Sequence, residues 1–239
     1  MEVTLIPVNE TEVINKLFTA CRTCYNAGTP NDMYRKVLSE PESFENTKKK
    51  LKLLDHVIRS GHHSVLEHVQ LTFLISGISR AASMQLIRHR LCNISQQSQR
   101  YCEFKDGAFE YVIPAKIEKD DDLRATFDQL MGIIGDAYKM FIDAGVPAED
   151  ARAVLPNACT TNLTWSCNLR EFIHVVEERT CTMAQAEIRK LVRSMVGEVV
   201  TQLPFMKPYL GPKCEHLGYC NEAPSRSCGM KPTRNEVIL

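Results

Sequence analysis

Arg88, His89 and Arg90 stand side by side, and Ser98-Gln99-Arg100 follows after a gap of seven residues. Between Val69 and Cys102 there is no Asp or Glu, yet Arg80, Arg88, Arg90, Arg100 and His89 all fall inside that window. The whole chain balances 29 basic against 29 acidic residues, so the charge here is segregated locally. Every full cation in the window is an arginine. Its planar fork of donors fits phosphate or carboxylate oxygens two at a time, whereas lysine is a flexible point charge. Guanidinium groups without counter-ions repel one another until an anion joins them, so the segment reads as a pocket for a phosphorylated ligand. The competing reading is a basic nucleic-acid surface, although such surfaces are usually lysine-rich and more spread out.

Further candidates lie downstream. A helix over Asn168 to Arg179 has a buried stripe of Leu169, Phe172, Ile173 and Val176, with Asn168 as its cap and Glu171 three residues on. Arg170 and His174 are i, i+4 neighbours on the opposite side, which reads either as a solvated polar face or as a ligand face. Arg179 falls at the edge of the stripe, where an arginine commonly satisfies helix-end carbonyls. Ser98 has no acid nearby in sequence, so nothing marks it as the nucleophile of a Ser-His-Asp set. In the tail, Cys214, His216, Cys220 and Cys228 make a candidate Cys3His zinc set, but the spacing misses the usual close Cys pairs. Thiols in a mobile tail are the plainer reading, and no metal is assigned.

These residues need a scaffold, and the composition provides for one. A chain of 239 residues, 44% hydrophobic and 24% charged, is long enough to bury one large core. Its neutrality argues against bulk attraction to nucleic acid or anionic membrane. No apolar run approaches the ~20 residues that span a bilayer. The start, Met-Glu-Val-Thr-Leu-Ile-Pro, does not resemble a signal peptide. A cytoplasmic setting is expected, with the ten cysteines as reduced thiols.

Strands are expected over 2–7, around Val69 to Ile75, and from Cys159 to Cys167, where alternate residues are apolar. Gln99–Phe104 and Ala108–Ile113 read as a hairpin about Lys105-Asp106-Gly107, with Arg100 on its first strand. Helices are expected over 10–24 and 42–60, the latter stopped by Gly61, and on a segment carrying Ala81, Gln85 and Arg88. Another spans 122–143, with Phe127, Leu130, Met131, Ile134 and Phe141 inward, and Pro147 opens a short one leading to Arg152. The last long helix should begin with a capping box of Thr182 and Gln185. It carries a broad stripe of Ile188, Leu191, Val192, Met195, Val196, Val199 and Val200 before Pro204, which would serve a core or a subunit interface alike. The expected class is α+β, an antiparallel sheet core flanked by helices. The expected division is a catalytic unit over 1–209 and a cysteine-rich tail over 210–239.

The spacing Arg-His-Arg-(seven residues)-Ser-x-Arg resembles the signature of the flavin-dependent thymidylate synthases. Matches continue in order through Gly61-His62, Glu67-His68, Gln85, Glu149-x-Ala-Arg152-x-Val-Leu-Pro156, Asn168-x-Arg170, and Arg179 leading to Gln185-x-Glu187-Ile188. The resemblance implies conversion of dUMP to dTMP, with methylenetetrahydrofolate as carbon donor, FAD as hydride carrier and NADPH as reductant. It implies that Arg88, His89 and Arg90 contact the flavin ring and pyrophosphate. Asn168, Leu169, Arg170 and His174 match positions that hold FAD from a neighbouring subunit, and Ser64 and Gln96 also match FAD contacts. Gln85, Leu86, Ile87 and Arg88, with the loop Gln96, Gln97, Ser98, Gln99 and Arg100, match dUMP-binding positions. Ser98, Arg100 and Arg152 would take the phosphate, Arg179 would stabilise charge on the uracil base, and His62 would lie near the folate. A homotetramer with shared sites is implied. Cys24 and Met183 depart from the family pattern, standing where serine and histidine are common. A zinc-stabilised nucleic-acid-binding protein is the alternative from another class.

Overall fold

In the computed structural model, residues 1–104 and 106–237 are described. The chain opens with β1 (Glu2–Leu5), α1 (Glu10–Thr23), α2 (Pro30–Ser39) and α3 (Phe44–Arg59). A 3-10 segment over His63–His68 leads into β2 (Gln70–Ser79), α4 (Arg80–Leu86) and β3 (Cys92–Gln96). Next come α5 (Asp121–Asp143), α6 (Ala148–Ala151) and β4 (Thr160–Asn168), which runs directly into α7 (Leu169–Arg179). The remainder holds α8 (Ala186–Gln202), α9 (Lys213–Leu217) and α10 (Arg234–Val237). No helix among the described residues is long and apolar enough to cross a membrane.

The strands form one antiparallel sheet in the order β1-β2-β4-β3, as the α+β expectation requires. Alternation along β4 places Thr161, Leu163, Trp165 and Cys167 on the buried face. Phe73 of β2 lies opposite Trp165 and stacks on Phe172 of α7 at 5.3 Å between ring centres. Burying side chains of this size contributes about 1.5–3 kcal/mol each. The stripe on α8 is core: Ile188, Leu191, Val192, Met195 and Val199 are all fully buried within the single chain.

Polar ties fix how the helices meet the sheet. Glu187, at the start of α8, accepts hydrogen bonds from the Ser79 backbone N–H (2.7 Å) and hydroxyl (2.6 Å), while Ser79 caps α4 by accepting from the Ala82 N–H. At the other end of α8, Glu198 accepts from the Leu5 N–H and Gln202 from the Val8 N–H. The Tyr209 hydroxyl donates to Asp55 of α3 at 2.6 Å.

Several expectations are corrected. Residues 99–104 and 108–113 are not strands: only Tyr111 forms a bridge, to Cys159. Lys105 of the expected turn lies outside the described residues. Phe104 and Phe109 turn instead toward α5, where they form a second small core with Met131 and Tyr138. Gly107 has φ +72°, and a Cβ there would sit 2.5 Å from the Gly135 carbonyl oxygen, so two glycines let the segment cross α5. On the side away from β2, β4 pairs with β3, just before the motif loop, and Arg100 lies in a turn beyond it. α4 ends before Arg88, with Ile87 as its C-cap. Leu130 is half exposed rather than inward. The N-cap of α8 is Gln185 itself, its side chain accepting from the Glu187 and Ile188 N–H groups, so Thr182 is not part of a capping box. The sequence reading assigned no element to α2.

The Ser79–Glu187 tie generates one prediction. Glu187→Ala leaves a part-buried N–H and hydroxyl without their charged acceptor, which should cost about 2 kcal/mol. Urea denaturation checks it: the midpoint should fall with the slope unchanged.

Candidate active site

His89 is the best buried member of the basic motif, only 7% exposed. It sits on the connection from α4 to β3. Arg179 reaches it from the end of α7, its Nε–H donating to His89 Nε2 at 2.9 Å. That bond makes Nε2 an acceptor, so the ring is neutral and its proton lies on Nδ1. Burial, then the Arg179 charge, then His174 push the His89 pKa down to about 4. On the Nδ1 side, Glu171 Oε1 is 3.9 Å away and is itself buried. Burial raises the Glu171 pKa, against a smaller opposing pull from His174. The His174 ring meets His89 edge-on at 5.8 Å.

The helix that carries these groups is positioned by β4. Asn168 ends the strand and caps α7, its Oδ1 accepting from the Glu171 N–H at 2.8 Å. The buried stripe then fixes rotation of α7, leaving Arg170 and His174 exposed on the far side as expected. Arg170 pairs with Glu67 of the 3-10 segment that also carries Ser64, while Ser64 and His62 are exposed. Arg88 and Arg90 are exposed, and neither has a carboxylate partner among the described residues.

A second group assembles around Glu149 at the start of α6. Its carboxylate pairs with Arg100, and its backbone carbonyl accepts from Arg152 Nε at 3.0 Å. The Ser98 hydroxyl accepts from the Arg100 N–H at 3.1 Å, so Ser98 adjoins Arg100, and Glu149 links Arg100 to Arg152. The expectation that Arg100 lacks a counter-ion is corrected: Glu149 supplies one from outside the acid-free window.

Other motif residues serve the scaffold. Gln96 on β3 donates from Nε2 to the Ser83 (3.0 Å) and Thr161 (3.1 Å) hydroxyl oxygens. Gln97 accepts from Asn162, and Gln99 donates to the Cys159 sulfur. Leu86 and Leu169 are fully buried, backbone included, and serve the core. Gln85 and Ile87 are half-buried beside them. Cys24 is exposed at the C-cap of α1 and Met183 is exposed after α7, and neither contacts the His89 group by any described hydrogen bond. The structural roles of Glu171, Glu67 and Glu149 were missed in the sequence. Glu67 and Glu149 stand inside matched motifs, and the one signal for Glu171 was an acid three residues after a capping Asn.

The arrangement can present a fixed cation held by a neutral imidazole, two exposed guanidinium groups and a separate serine–arginine cluster. Residues 8–205 match the family model described as thymidylate synthase complementing protein. A flavin-dependent thymidylate synthase of Nitratidesulfovibrio vulgaris is 40% identical over 235 residues, covering 95% of this chain and 94% of that one. The protein of the same name from Geobacter sulfurreducens is 42% identical over 210 residues, covering 88% and 86% respectively. Among solved structures, the UMP/dUMP methylase PolB from Streptomyces cacaoi, bound with 5-Br dUMP, superposes with a TM-score of 0.69. It is 21% identical and covers 87% of this chain and 94% of its own, a likeness of fold.

The buried imidazole makes stability depend on pH. With a folded pKa about 4 against about 6.5 unfolded, the unfolded chain binds the extra proton between those values. The His89 contribution is therefore complete above pH 6.5 and is lost as pH falls through 4, on the order of 3 kcal/mol at most. Glu171 titrates with the opposite sign, its raised pKa weakening stability as pH rises through its own range. Urea melts from pH 7 to 4 should show a steady fall in the wild type, and His89→Asn should flatten that fall.

Proposed function

The chain belongs to the flavin-dependent thymidylate synthase family, and from that premise we propose that it converts dUMP to dTMP. Methylenetetrahydrofolate is the carbon donor in this reading, FAD the hydride carrier and NADPH the reductant. The observation that carries it is the Arg179–His89 pair, a cation aimed from the end of α7 and held by a ring that does not compete for charge. Family membership replaces the nucleic-acid reading of the arginine cluster.

The residues present suit a flavin dinucleotide. Arg88 and Arg90 offer donor-only guanidinium groups in the open, a match for a pyrophosphate. Arg170, His174, Asn168, Ser64 and Gln96 would complete the FAD contacts, His89 shaping the floor beneath them. FAD, when bound, supplies the hydride that reduces the pyrimidine. The protein's part is binding, orientation and charge.

On the nucleotide side, Ser98, Arg100 and Arg152 would receive the phosphate, which must take over the Arg100 fork that Glu149 now holds. Gln85, Ile87, Gln97 and Gln99 flank that path, and His62 would lie toward the folate. Arg179 uses Nε on His89, so its two terminal nitrogens can face the base and stabilise negative charge developing there. A fixed cation does this without moving a proton.

Most of these groups lie on open surface, and the described cavities lie elsewhere: between α1, α2 and α3, and beside the tail. This supports completion of each site by a second copy of the chain, within a homotetramer. Ten free cysteines suit a reducing compartment such as the cytoplasm. We keep the division into a catalytic unit over 1–209 and a tail beyond it as part of the same proposal.

The test is an anaerobic assay with FAD, NADPH, methylenetetrahydrofolate and dUMP, leaving out each in turn. dTMP should form only in the full mixture, and formation without FAD or without dUMP would overturn the reading. Arg179→Ala should lower turnover by about 100-fold or more while the protein stays folded and yellow. Arg100→Ala and Arg152→Ala should instead raise the dUMP concentration needed by about 10- to 100-fold, as expected for a lost charged phosphate contact. Unchanged dUMP affinity in both would remove the phosphate assignment.

A further inference from the structure

The tail beyond α8 has little core of its own. Leu217, Met230 and Val237 are exposed, and Cys220 is its best buried side chain beyond Gly211. It is nevertheless laid against α7 and the turn that follows. Lys213 faces Glu178 at 3.8 Å and His216 faces Glu177 at 4.0 Å. The Cys220 N–H donates to the Pro232 carbonyl at 2.7 Å, closing the tail on itself.

Between this tail and the α7–α8 turn is a cavity of about 460 Å³, open mouth included. Cys181, Cys214, Cys220 and Cys228 all line it. Cys181 comes from the turn, two residues past Arg179, and the other three come from the tail. The sequence reading had put His216 in the set, but that ring turns to Glu177 and does not line the cavity.

We propose that Cys181, Cys214, Cys220 and Cys228 form a tetrathiolate metal site, for zinc or an iron–sulfur cluster, that clamps the tail to the turn behind Arg179. Four thiols without disulfides gain nothing from mutual closeness until a metal draws them in, each giving up its proton as its sulfur–metal bond forms. Four thiolates around a divalent zinc leave a net double negative charge. Lys213 and Arg226 stand in the cavity wall and can take up part of it, beside Glu177, Glu178 and Glu222 on the same wall. Among the described residues no three such side chains meet at single-ion distance. The sulfurs ring a space rather than a point, which an iron–sulfur cube fills directly and which zinc would close to bonds of about 2.3 Å. A small segment with so little apolar burial is also the kind that a metal staple makes stable.

The experiment is elemental analysis of the full chain purified anaerobically without chelator, with acid-labile sulfide measured alongside. About one zinc per chain, or about four irons with about four sulfides, supports the site and says which form it takes. Cys228→Ser, an exposed position with little risk to folding, and Cys181→Ser should each cut that content by about tenfold or more, while Cys102→Ser should leave it unchanged. A chelator should also make the tail of the wild type newly sensitive to protease. The proposal fails if the chain holds no metal even after anaerobic reconstitution with zinc or with iron and sulfide, or if both variants retain the full content. These readouts do not depend on dTMP formation, so they stand or fall apart from the enzymatic reading.

Discussion

A single hydrogen bond between two basic side chains organises the catalytic face. Arg179 donates to His89, and burial together with the Arg179 charge keeps the imidazole neutral enough to accept. A protonated ring would face a guanidinium at contact distance, and both would be driven apart. The surroundings hold the pair in place. Stacked aromatics beneath α7 exclude water, Glu171 lies buried on the proton-bearing side of the ring, and the Asn168 cap fixes where α7 begins. The sheet in turn fixes Asn168, since β4 is gripped by β2 on one side and β3 on the other.

The same logic explains why two elements far apart in the chain behave as one piece. The α4–β3 connection supplies His89 and the end of α7 supplies Arg179, and α8 holds both ends of the arrangement. Its first turn binds Ser79 through Glu187, and its last turns bind β1 through Glu198 and Gln202. Chemistry that depends on orientation and charge needs this kind of rigidity in the groups proposed to face the pyrimidine.

Much of this was legible in the residues. Period-two alternation found β4, period 3.6 found α1, α3, α5 and α7, and the Arg-His-Arg…Ser-x-Arg spacing led to the family. What failed had physical causes. Residues 99–113 alternate like a hairpin, but their aromatic rings gain more by packing on α5 than by pairing in a ladder. β3 is polar and short, so nothing in Cys92–Gln96 marks it as a strand until β4 is there to bind it. Glu171 and Glu149 could not be seen because a counter-ion is a fact of three dimensions. Glu149 is 49 positions from the arginine it neutralises. His89 looked like one more exposed ligand in a basic run, whereas the fold turns it inward and leaves its two arginine neighbours outside.

Glu149 has a consequence of its own. With its carboxylate on Arg100 and its carbonyl on Arg152, it would act, on the proposed reading, as a resident placeholder for the nucleotide phosphate. A visitor must outbid a carboxylate already in position, so a singly charged ion has little advantage over the incumbent, while a doubly charged phosphate has a clear one. On the proposed phosphate reading, the pocket would carry its own filter for charge, sorting a nucleotide from the uncharged nucleoside before any contact with the base is made.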